Sequence, residues 1–124
     1  MDVFSISNSP FSIVNHRLVG GGVIHVVCEK NRRGLGEPDM IILHYTGGTS
    51  AMSSAKFLAR SDVKASAHVV IGRDGQVIQM VPFNIEAWHA GKSSYGGRNE
   101  LNHYSIGIEL DNLGQLRLEG GKFV

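Results

Sequence analysis

The sequence predicts an α/β fold, and three observations carry that prediction. Residues 40–46 and 104–111 are short runs rich in apolar and β-branched side chains, with the length and composition of strands. Between them, apolar residues at helical spacing follow Thr49 and Ser50, either of which can cap a helix. Residues 67–72 and 76–81 flank Arg73-Asp74-Gly75, where Asp-Gly supplies the positive-φ residues of a tight hairpin turn.

Taken in order, residues 13–18 and 23–28 are two short β-rich runs separated by Val19-Gly20-Gly21-Gly22, which predicts a hairpin turning on the glycines. Residues 29–39 form a loop, broken by Arg32-Arg33-Gly34 and Pro38, and the basic pair belongs to a solvated surface. Residues 40–46 are apolar on both alternating faces, the pattern of a central strand covered on both sides, and only His44 interrupts it. In the helix after Thr49, Ala51, Ala55 and Leu58, with Met52 and Ala59 beside them, make a face that packs on the sheet.

Residues 82–102 are mixed and glycine-rich, long enough for a functional loop, with one helical turn expected around 84–88. In the strand over 104–111, Tyr104, Ile106, Ile108 and Leu110 point one way while Ser105, Gly107, Glu109 and Asp111 point the other. Small residues beside a carboxylate suit the floor of a groove, where a ligand can approach backbone and acid closely. Residues 114–124 have the character of an exposed loop that proteases nick.

Composition narrows the function. At 124 residues the chain has the size of one domain, and 42% hydrophobic against 19% charged residues is the balance of a protein with a core. Twelve basic and eleven acidic side chains give neither the electrostatic attraction of a nucleic-acid binder nor a polybasic membrane patch. No apolar run is long enough to span a bilayer, and Met1-Asp2-Val3-Phe4-Ser5 lacks the basic and apolar regions of a signal peptide, which favours a cytoplasmic site. Action on a wall from outside stays open. The lone Cys28, beside Val26 and Val27, is expected to be an inert buried thiol.

Six histidines call for individual weighing. His16, His25 and His103 belong to no ligand spacing and are expected to be structural or surface residues. His44 lies near the C-terminal end of a strand, where α/β sheets present functional side chains, so a metal ligand competes there with a satisfied core histidine. Glu109 is the second candidate, because carboxylates are seldom buried unless paired or functional. The chain has no His-Glu-x-x-His helix, Cys-x-x-Cys pair, Gly-x-Ser-x-Gly elbow or phosphate loop.

Three segments in order, Ile41-Ile-Leu-His-Tyr-Thr46, Ser66-Ala-His-Val-Val-Ile-Gly-Arg-Asp-Gly75 continuing to Ala87-Trp-His-Ala-Gly91, and Asn102-His-Tyr-Ser-Ile-Gly-Ile-Glu109, resemble the amidase-2 family over roughly residues 40–112. The wording is similar to the branch of bacterial muropeptide-recycling amidases. The resemblance implies a mixed central sheet flanked by helices, a Zn2+ cofactor, and hydrolysis of the amide between N-acetylmuramic acid and L-alanine in peptidoglycan or muropeptides. It implies that His44 is a zinc ligand and that Glu109 activates the zinc-bound water. Trp88, His89 and Asn102 match positions lining the substrate groove, and His68 is placed with them.

The family's other two zinc ligands lie on a later segment that these residues do not include, so a C-terminal fragment of the same protein is an implied partner beside the substrate. Ala67 stands where some relatives have tyrosine, which puts a tyrosine-assisted variant in doubt. A site built from His44, His68 and His89 is the alternative within the chain. A peptidoglycan-binding module without catalysis, or an inactive fragment, are the competing functions.

Overall fold

The structure, a computed structural model, describes residues 3–5, 9–30 and 33–124. In chain order its strands are β1 (Val3–Ser5), β2 (Phe11–Val14), β3 (Arg17–Gly20), β4 (Ile24–His25) and β5 (Met40–Tyr45). Helix α1 (Ala51–Leu58) follows, then β6 (Val69–Ile71), β7 (Val77–Gln79), β8 (Ser94–Tyr95), β9 (Arg98–Asn99), β10 (Ser105–Leu110), β11 (Leu118–Glu119) and β12 (Lys122–Phe123). Among the described residues the main sheet has the order β4-β7-β6-β10-β5. Strand β10 runs parallel to both β5 and β6, while β6 and β7 form the antiparallel hairpin, so the sheet is mixed as expected.

One α-helix is found among these residues, and its ends are well specified. Ser50 adopts an extended backbone and its hydroxyl accepts the Ser53 N–H at 3.1 Å, satisfying one of the free donors of the first turn. Beyond the other end the Lys30 ammonium donates to the carbonyls of Leu58, Arg60 and Val63, which supplies a cation where the helix dipole is negative. Ala51 and Ala55 lie against the sheet, in a core with Val70, Ile78 and Met80. Small residues on the helix face let α1 approach closely, and full burial of Ile78 is worth about 2–3 kcal/mol by removal of apolar surface from water. No helix of the described residues is long and apolar enough to cross a membrane.

The opposite face of the sheet is apolar and open near β5. Ile41, Leu43 and Tyr45 are 64%, 62% and 64% exposed. The hairpin of β2 and β3 covers part of this face, fastened by the buried Gln79 amide, whose Oε1 accepts the Leu18 N–H at 2.6 Å while its Nε2 donates to the His16 carbonyl at 3.3 Å. A broad cleft of ≈ 850 Å³ between the hairpin and the sheet is lined by Phe11, Ile13, Val69, Ile71 and Ile108.

Several expectations change. The first hairpin turns at Asn15-His16, with φ of 50° and 65°, and not at the glycines; Asn and His tolerate the left-handed region that a two-residue turn demands. Its partner strand is 17–20, and residues 24–25 instead join the main sheet beside β7. Strand β5 lies at a sheet edge and is not central, because β10 takes the interior position between β5 and β6. In the 72–76 turn only Gly75 has positive φ, at 86°, while Asp74 Oδ1 accepts the Gln76 N–H.

Residues 84–88 form no helical turn: Ile85 makes a bridge to Gly34, and Trp88 exchanges hydrogen bonds with Ser66, which hold this stretch extended. A 3-10 turn occurs later, at Leu101–His103. Residues 114–124 include the exposed hairpin of β11 and β12, turning on Gly120 and Gly121 at φ 57° and 77°. Cys28 is buried in the core as expected, and Arg33 is an exposed residue paired with Glu86 at 3.5 Å; Arg32 lies outside the described residues.

Candidate active site

The parallel pairing of β5 with β10 places His44 directly opposite Glu109, at the C-terminal ends of both strands and on the face that carries α1. Strand alternation puts Ser105 and Gly107 on the same face as Glu109. Beyond the strands, Asp111 ties the ends together: its Oδ2 pairs with Arg73 Nε at 3.3 Å, and the Thr46 hydroxyl donates to Oδ1 at 3.4 Å. Arg73 also donates to the Gly48 carbonyl at 3.1 Å, which anchors the loop running from His44 to α1.

Glu109 forms part of a groove of ≈ 380 Å³ with Thr46, Gly48, Ser54, Phe57 and Leu58. Its Oε2 is buried with no hydrogen-bond partner among the described residues. Burial raises its pKa above the ordinary carboxyl value, because the charged form loses hydration without a compensating donor. Burial likewise lowers the pKa of His44. An imidazole with a lone pair to offer and a carboxyl group that resists ionisation therefore stand side by side, as nucleophile activation and proton transfer require.

The Ala87-Trp-His-Ala-Gly91 segment brings a second imidazole onto this face. His89 Nδ1 lies 3.0 Å from His44 Nε2, and His89 Nε2 lies 3.0 Å from the Ser105 hydroxyl. Gly107 makes room for it, since a Cβ there would come within 2.3 Å of the His89 ring. Asn102 Oδ1 accepts the backbone N–H groups of His89 and Ala90 at 3.1 and 2.8 Å, which holds the segment down. Desolvation first, then the neighbouring imidazoles of His44 and His68, push the His89 pKa down to about 4, so its ring is neutral at pH 7.

The six residues singled out from the sequence therefore separate. His44, Glu109 and His89 come together. His68 is fully buried beneath them: its Nδ1 accepts the Gly107 N–H at 3.0 Å and its Nε2 donates to the Ile85 carbonyl at 2.7 Å. It is correctly placed as support and not as groove lining, since neither ring nitrogen is left for a ligand. The three-histidine site fails for the same reason, with His44 and His89 bonded to each other. Trp88 and Asn102 line a neighbouring polar cleft of ≈ 390 Å³ with Arg33, Lys64, Glu86 and His103.

In that cleft His103 bridges Glu86 at 2.7 Å and Glu100 at 3.0 Å, and these carboxylates raise its pKa, which makes it a structural ion-pair residue. His16 serves the first turn, and His25 is exposed. Ser105 and Asp111 were visible from the sequence only as members of a strand face. Their partners, His89 and Arg73, come from distant segments.

The profile of the family described as N-acetylmuramoyl-L-alanine amidase matches residues 34–123, and the chain belongs to this amidase-2 family. Among individual proteins, it is 46% identical over 67 residues to the 1,6-anhydro-N-acetylmuramyl-L-alanine amidase AmpD of Citrobacter freundii, a match covering 54% of this chain and 36% of that protein. A selenomethionine AmpD crystal structure superposes with a TM-score of 0.59 at 29% identity, covering 81% of this chain and 65% of the other. The amidase AmiD of E. coli, in complex with anhydro-N-acetylmuramic acid-L-Ala-D-gamma-Glu-L-Lys, gives 0.55 at 25% identity, covering 98% of this chain and 43% of the other. The chain thus spans about a third of the length of the curated relatives it matches.

Proposed function

We propose that this chain carries the catalytic face of an amidase that hydrolyses the amide between N-acetylmuramic acid and L-alanine in muropeptides. The observation that supports it is the orphaned, buried Oε2 of Glu109 on the floor of a groove, in register with His44. A carboxyl group with a raised pKa can take a proton from an attacking water and return it to the leaving alanine nitrogen at Oε2. The groove beside it, with Phe57 and Leu58 on its wall, offers apolar contact to a stem peptide.

Zinc is implied by the family resemblance, and a zinc ion holds three protein ligands in catalytic sites. Among the described residues no group of three His, Cys, Asp or Glu side chains could hold a metal, and of the clustered imidazoles of His44, His68 and His89 it is His44 that keeps a ring nitrogen without a hydrogen bond. These residues therefore do not complete a zinc site, and the proton-transfer role of Glu109 stands without it. In this proposal the remaining donors belong to a further segment of the same protein. Roles for Trp88 and Asn102 in substrate contact are part of the same proposal, with Trp88 38% exposed at the adjoining cleft.

The incomplete donor set also favours a second reading, a muropeptide-binding face without catalysis. Both are tested by incubating the zinc-supplemented protein, including the further segment that would supply the remaining donors, with anhydro-N-acetylmuramyl-L-Ala-D-γ-Glu-L-Lys and following release of the free peptide by mass spectrometry. Release that Glu109→Gln reduces by about 10²-fold or more supports the amidase. Binding with no release by the wild type supports the second reading, and neither binding nor release sinks both.

A further inference from the structure

We infer that Ser105 is a positioning residue for His44, selecting through His89 which His44 nitrogen presents its lone pair. The inference rests on the reading of His44 as an active-site group and adds to it a residue that touches no substrate.

The argument follows one hydrogen at a time. The Ser105 hydroxyl has a single proton, and it goes to the Leu101 carbonyl at 2.7 Å. Toward His89, 3.0 Å away, the same oxygen can then only accept, so His89 carries its proton on Nε2. A neutral imidazole protonated there is an acceptor at Nδ1. His44 must therefore donate from Nε2 across the 3.0 Å contact. Nδ1 of His44 is left with a lone pair and has no hydrogen bond to any described residue. A carbonyl four residues before Ser105 thus fixes the outward-facing atom of a side chain on another strand.

Two features make the relay rigid. Ser105 is fully buried, so water does not compete for its hydroxyl. His89 packs against the glycine at 107 of strand β10, and Asn102 holds its backbone N–H, so both the ring and its main chain are seated on fixed elements. Imidazoles that offer one nitrogen to a ligand have their tautomer set by the hydrogen bond at the other, and here that bond is delivered through a second ring.

The test is the two-bond 1H–15N spectrum of the histidine rings in the uniformly 15N-labelled chain. The wild type should display His44 protonated at Nε2 and unprotonated at Nδ1, with His89 in the same tautomer. In Ser105→Ala the His89 Nε2–H loses its acceptor; His89 should move toward the Nδ1–H tautomer and His44 should follow, so that the two His44 nitrogen shifts exchange or average. Ser105→Thr keeps the hydroxyl and should retain the wild-type pattern. If the alanine variant does not fold, Ser105→Cys, near in size and a weak acceptor, replaces it. A wild-type His44 protonated at Nδ1, or an unchanged His44 pattern in a folded Ser105→Ala or Ser105→Cys, overturns the inference. Because the readout is a tautomer and not turnover, its failure is distinct from failure of the amidase reading.

Discussion

The two faces of the β5–β10 pair are made by the same twelve residues and behave as different materials. On the α1 side His44, Ser105, Gly107 and Glu109 stand beside Met40 and Ile42, and a chain of hydrogen bonds through His89 locks His44 and Ser105. On the other side lie Ile41, Leu43, Ile106 and Ile108, apolar and joined by no polar contact, with the β5 members more than half exposed. The difference teaches that alternation along a strand divides labour: one face is held by directional bonds that fix atoms, the other by surface area that fixes only volume.

The comparison sharpens most under truncation. Ile78→Ala, inside the core beneath α1, should cost about 4 kcal/mol, whereas Leu43→Ala on the open face should stay within about 0.5 kcal/mol, read from urea midpoints at constant slope. Equal losses would mean that the outer face is covered in solution.

Acid should break the polar face selectively. The folded pKa of His89 is lowered from 6.5 to about 4, so the unfolded chain binds a proton in that window that the folded chain refuses. Stability is therefore full above 6.5 and falls as pH drops towards 4; the lowered pKa of His68 acts with the same sign. His89→Gln should flatten the slope in denaturation curves taken at pH 7 and about pH 5.

The smallest effect concerns Glu109. Its folded pKa is raised, so its contribution favours folding below the unfolded carboxyl pKa and is lost as pH rises through the folded value. Glu109→Gln removes that loss and should leave the chain more stable at pH 7, with the advantage vanishing in acid. A destabilised Glu109→Gln at pH 7 would mean that the carboxylate has a cationic partner in solution.

How much of this was legible beforehand follows from the range of each interaction. His44 and Glu109 stood out because each interrupts or adjoins an alternating apolar pattern within its own strand, and the capped start of α1 is read from Ser50 and the alanines that follow. The sequence of β5 is apolar on both faces and so reads as central, while its edge position in the sheet depends on β10, which lies far along the chain. Three glycines are the stronger turn signal in the sequence, yet Asn15-His16 takes the left-handed positions of the first turn. His68 and His89 look alike in the sequence; what makes one a buried prop and the other a link to His44 is which segment lies opposite, Ile85 or Ser105.

Lys30 has a consequence of another kind. Its ammonium meets three carbonyls, those of Leu58, Arg60 and Val63, so all three of its hydrogens are spoken for. An amine so engaged is a poor nucleophile, and labelling chemistry aimed at lysines should reach Lys56 and Lys122 first. A guanidinium could not take its place, because a flat fork cannot aim donors at three converging oxygens. The charge at this position thus acts as a clasp of fixed shape, chemically quiet for as long as the helix end it holds is intact.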